Sequence, residues 1–136
     1  IPVIPQRSLV DFALEIAKEG AINETLAVVL AAQQRKEAVD PETQEHLDMV
    51  IRDESQHALL AWDILVWAIS VEGAQLSSQL SLLFQERPVF SLSSFPEQGN
   101  IELGILSRTE AEATVNKAWD ELIINIIDEL PNIKVA

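Results

Sequence analysis

Apolar residues recur at helical spacing from Leu9 to about Ala38, in a stretch without proline and rich in alanine and leucine. That pattern predicts one long helix. Ser8 to Asp11 reads Ser-x-x-Asp, a capping-box variant that makes Ser8 the N-cap. Asp40-Pro41 reads as a second N-cap with proline at the first helical position. The helix it opens runs from Pro41 to about Glu72, where Gly73 stops it. Two helices of roughly thirty residues joined by so short a turn must lie antiparallel. No stretch before Gly73 has the alternating period of a strand.

The pattern changes over residues 74–106, which are rich in Ser, Gln, Gly and Pro. A short helix is expected near Gln75 to Phe84, followed by a long loop that wraps the surface. Ser107 to Glu110 is a Ser-x-x-Glu capping box. It opens a further helix over residues 107–130, which Pro131 ends. There Trp119, Leu122, Ile123, Ile126 and Ile127 form the packing stripe, and the acidic residues fall mostly on a solvent face. The expectation is one all-α domain over 1–136, with residues 6–73 as a hairpin.

Charge narrows the partners. The chain has 22 acidic against 9 basic residues, a net charge of −13. Nucleic acid and anionic membrane both require a basic surface, so neither is expected. The chain has no cysteine and no tyrosine. Thiolate metal sites, disulfides and thiol nucleophiles are excluded, and any metal must use oxygen and imidazole ligands. The longest apolar run, Ala58 to Val71, is interrupted by Asp63 and too short for a bilayer span. The absence of cysteine and of a visible signal leans toward a cytoplasmic setting. The opening IPVIPQ, without Met, hints at a processed product or a piece of something longer.

The stretch RDESQHALLAW, Arg52 to Trp62, then raises a chemical question. At about 100° per residue, Glu54 and His57 share a helix face with Leu47, Val50, Ile51, Ala58, Ala61, Leu65 and Ala68. On the first helix Glu24 sits on a face of small apolar residues: Ala13, Ala17, Gly20, Ala21, Val28 and Ala31. Glu24 lies about 23 Å before the turn, and Glu54 and His57 lie about 22–26 Å after it, at 1.5 Å per residue. The three side chains are therefore expected at one level, pointing inward. Alone, a Glu-x-x-His pair is more often two polar residues on a wet face. Two carboxylates and an imidazole buried together are costly unless something neutralises them. No Lys or Arg shares these faces at that level, so a cation is the economical solution. Asp53 is turned about 100° from Glu54. It is either a solvent-facing charge or a group that orients a histidine on a neighbouring helix.

Glu24 followed by Asp-Glu-Ser-Gln-His (53–57) resembles one half of a ferritin-like di-iron carboxylate protein. In that family a four-helix bundle holds two metals, each half giving one Glu and one Glu-x-x-His. GAINETLA (20–27) and DESQHALLAW (53–62) look like the second half of a two-half ferritin-like domain, a resemblance covering about residues 6–72. It implies Glu24 and Glu54 as bridging or chelating carboxylates, His57 as a terminal ligand and Asp53 as the partner of the opposite half's histidine. It implies two iron ions, or manganese, shared with a second half-site. It also implies O₂-dependent oxidation of Fe(II), as a ferroxidase, or of an organic substrate, as a di-iron oxidase or oxygenase.

The chain departs from the family pattern by offering only half of the ligand set. His46, the only other histidine, has no Glu three residues before it and belongs near the turn. The remaining ligands would come from a homodimer or from a separate chain or segment. Residues Ile22 to Ala32 are apolar on all sides, which favours some partner. The rival expectation is a non-enzymatic helical assembly module with a remnant metal site.

Overall fold

The computed structural model describes residues 8–87 and 90–133; the opening IPVIPQ and the pair Pro88-Val89 lie outside them. The architecture is all-α, with no strand among the described residues and a lone antiparallel bridge between Asn100 and Ile105. A first rod is built of α1 (Leu9–Glu15), a π-helical stretch (Ile16–Ile22) and α2 (Asn23–Glu37). It turns at residues 38–40 into α3 (Pro41–Glu72), which α4 (Ala74–Gln85) follows. After the loop come α5 (Arg108–Ala118), a second π-helical stretch (Trp119–Ile123) and α6 (Ile124–Asp128). No helix is long and apolar enough to cross a membrane among these residues.

The caps are those the sequence expects. The Ser8 hydroxyl accepts the Asp11 amide at 3.1 Å. Asp40 accepts both the amide and the hydroxyl of Thr43, at 2.9 and 2.8 Å, with Pro41 next to it in the first turn. These bonds hold the Asp40 carboxyl below the usual carboxylate range. Gly73 ends α3 at φ 63, a conformation that β-carbon-bearing residues resist. The Ser107–Glu110 box is reciprocal: each residue's side chain takes the other's amide at 3.1 Å.

The π-helical stretches were not expected. A regular helix of about 3.6 residues per turn predicts a constant angular step, and a π turn breaks it. The step changes just before Glu24 and again at Trp119. On the last rod Trp119, Ile123 and Ile127 are buried as expected, but Leu122 is exposed and Ile126 half-buried.

The rod and α3 meet through small residues. Ala13, Ala17 and Ala21 are fully buried, and Ala58, Ala61 and Ala68 face them from α3. A Cβ on Gly20 would lie 3.1 Å from the Ala61 Cβ, so the backbones approach as closely as side chains allow. Larger groups fill the core beside this line, with Leu26, Leu65, Leu76, Leu80, Phe84, Leu106 and Ile123 almost entirely buried. Burial of α2 is one-sided. Ile22, Leu26, Leu30 and Ala31 are buried, whereas Val28 and Val29 are half-buried and Ala32 is exposed. The chain itself covers one side of this apolar stretch and leaves the other partly open. The less covered side of α2 borders a groove of about 640 Å³ against α5, lined by Val28, Ala32, Lys36, Ala113, Lys117 and Leu122 among others.

The loop straps the closed end of the hairpin. The Glu102 carbonyl accepts the amides of Val39 and Asp40, each at 3.2 Å. Gly104, at φ 65, lets the loop pass within 2.6 Å of the Gln34 carbonyl, measured from where a Cβ would stand. Arg35 bridges α2 to Asp48 of α3 at 2.8 Å on the same end. Arg87 ties the end of α4 to the last rod through Asn116 at 2.9 Å, through Asp120, and over the Trp119 ring.

The Gly20 contact gives a direct test. Gly20→Ala gains helix propensity but meets Ala61, and should be near neutral. Gly20→Val places γ-carbons into the contact and should cost about 1–3 kcal/mol in urea denaturation, the usual range for overpacking.

Candidate metal centre

Glu24 stands in the first turn of α2, directly after the π-helical stretch, and Glu54 and His57 lie mid-length on α3. One ligand atom from each of the three falls within 4.8 Å of the others. The expected common level of the hairpin is therefore observed. Glu54 Oε2 lies 3.8 Å from His57 Nδ1.

Burial differs from the sequence expectation. The Glu54 side chain is 30% exposed and that of His57 62% exposed. The inward-facing cluster is in fact a rim. Ala58, Ala61, Leu65 and Ala68 lie in the core, and His57 is rotated about 60° from the Glu54 direction, toward the open side of α3. Glu24 is half-buried. Asp53 is exposed and has no partner among the described residues. His46 is exposed near the turn, as expected.

The rod is anchored beside the cluster by a bond that sequence reading missed. The Trp62 indole N–H donates to the Thr25 hydroxyl at 2.9 Å, and that hydroxyl donates to the Ala21 carbonyl at 2.6 Å. Trp62 is two turns from Glu54, and Thr25 adjoins Glu24. Both residues are buried, so the chain fixes the sliding register of α2 on α3 where the carboxylates meet. Thr25 closes the polar trio Asn23-Glu24-Thr25 ahead of an apolar run, and nothing local in the sequence marks it as the partner of Trp62.

The electrostatics express the crowding. Glu24 is held above its ordinary value of 4.5, first by a hydrogen bond with Glu54, then by desolvation and by the Glu54 charge; His57 opposes these. No Lys or Arg is paired with either carboxylate among the described residues. Two carboxylates close together disfavour the charged form of Glu24.

Two ligands of one ion stand at most about twice 2.1 Å apart for typical nitrogen and oxygen donors, and 3.8 Å between His57 and Glu54 is inside that limit, with a Glu24 oxygen within 4.8 Å of both. The groove between α2 and α5 is a separate feature, and none of Glu24, Glu54 and His57 lines it. No family model, no curated protein and no solved structure matches this chain.

The raised Glu24 carboxyl makes a pH prediction. A group whose folded pKa is raised stabilises the fold below the unfolded value and loses that contribution as pH rises through the folded one. The metal-free protein should therefore lose melting temperature as pH climbs from below 4.5 through the raised Glu24 value. Glu24→Gln should remove this part of the slope and melt higher than the parent at neutral pH. Thermal denaturation at several pH values, with chelator present, reads both.

Proposed function

We propose that the chain carries half of a ferritin-like di-metal carboxylate site, with Glu24, Glu54 and His57 as its ligands. The observation that carries this reading is the convergence of the three side chains within 4.8 Å, without a basic residue to balance them. The metals are two iron ions, with manganese as the other occupant the ligands suit. Hard anionic oxygen donors favour the higher oxidation states of such ions, and imidazole completes the set.

The work of the chain's own residues follows from their positions. A cation entering between Glu24 and Glu54 would oppose the contact and the charge that hold the Glu24 carboxyl above its ordinary value. His57 offers Nδ1 from the exposed edge of α3. The small residues under the pair hold the two helices close enough for both carboxylates to reach one centre. A bound iron pair supplies O₂-dependent oxidation, and its substrate is either Fe(II) itself or an organic molecule. A second half supplies the remaining carboxylates and histidine.

A second reading rests on the exposure of His57. A histidine on the rim, 62% exposed and with Glu54 3.8 Å away, also fits a helical assembly module whose metal site is a remnant. Elemental analysis separates the two. Iron or manganese should co-purify or bind stoichiometrically, and Glu54→Ala or His57→Ala should weaken binding at least tenfold. Protein that takes up no metal, or takes it up equally in both variants, would sink the di-metal reading. Where metal binds, Fe(II)-dependent O₂ consumption should exceed the buffer rate in the parent and fall to it in Glu54→Ala.

A further inference from the structure

One stripe of α3 is left uncovered, and its composition and spacing are unusual for a wet surface. Asp53, His57, Leu60, Ile64, Trp67 and Val71 follow one another at alternating steps of four and three. That is the seam spacing by which one helix packs along another. Leu60, Trp67 and Val71 are 60%, 56% and 57% exposed, and Ile64 between them is half-buried. Large apolar groups aligned on one exposed stripe mark an interaction surface. The two polar members of the seam, Asp53 and His57, lie beside the Glu54 carboxylate.

We infer that this stripe is the contact for a second copy of the chain, packed with the two α3 helices antiparallel and the two-fold axis level with Ser55. The inference rests on the proposed half-site, because it names the source of the missing ligands. Charge decides the direction. A parallel pairing sets Asp53 against Asp53 and His57 against His57. The antiparallel pairing sets Asp53 of each copy against His57 of the other, and a single register satisfies both pairs. The same register sets Val50 of one copy against Leu60 of the other, while Ile64 and Trp67 fall opposite the partner's His46 and Thr43. It also brings both sets of Glu24, Glu54 and His57 to one level, which makes the full six. His57, exposed in one chain, then gains a carboxylate that orients its ring. Like-with-like contact about a two-fold axis is the ordinary form of a homodimer.

The chain contains no cysteine, so single introduced thiols report the register without interference. Sedimentation in chelator should give twice the chain mass of 15.1 kDa. Leu60→Asp should weaken association at least tenfold. Mixing Val50→Cys with Leu60→Cys should give a disulfide-linked dimer under mild oxidation. Neither variant alone should, because ten residues of helix separate like positions by about 15 Å, far beyond disulfide reach. A monomer at high micromolar concentration overturns the inference, and so does Leu60→Cys linking to itself or a dimer in which the mixed pair fails to link. Metal analysis of the same samples keeps the two readings apart. A correctly linked dimer that takes up no metal overturns the half-site alone, whereas a metal-binding monomer overturns the dimer alone.

Discussion

The close approach of the rod to α3 at Gly20 and Ala61 is the constraint on which the rest depends. Alanines above and below that contact keep the two backbones near each other along most of the hairpin. At a wider spacing Glu24 and Glu54 would each turn to water, and neither would perturb the other. At this spacing the Glu54 carboxyl, by hydrogen bond and charge, raises that of Glu24. Trp62 and Thr25 then set the longitudinal position, so the carboxylates meet rather than pass. Packing of apolar groups thus creates the electrostatic conflict, and the conflict defines the chemistry open to the chain.

The boundaries of the fold were legible because each is written in a short local code. Ser8, Asp40-Pro41, Gly73 and the Ser107–Glu110 box act within a few residues of themselves, and each sits where its sequence places it. The π-helical stretches carry no such code. A wide turn arises when tertiary contacts favour an altered angular step over one good hydrogen-bond ring, and that choice depends on residues far along the chain. Counting at a constant step therefore put Leu122 in the core, and the structure leaves it exposed on the groove against α5.

The candidate site was legible in level but not in depth. Height along a hairpin follows from counting residues from the turn, so Glu24, Glu54 and His57 were brought together correctly. Burial does not follow from one face being apolar. Ala58 and Ala61 are in the core, and His57, a short rotation away on the same helix, is on the rim. What lies over a helix edge is a property of the other elements present. Here α4 and the last rod build the core elsewhere, and the His57 side is left to whatever packs next.

The strap at the turn has a mechanical consequence. Val39 and Asp40 are bonded to Glu102, Gly104 lies on Gln34, and Arg35 holds Asp48, all at one end of the hairpin. The other end carries a glycine hinge between α3 and α4. Thermal opening of such a pair is unequal: the pinned end stays shut and displacement grows toward the end held by apolar packing against α4. Residues at mid-length move through a fraction of that arc. Glu24 and Glu54 occupy that intermediate position, close enough to the clamp to keep their alignment and far enough from it to yield when something enters between them.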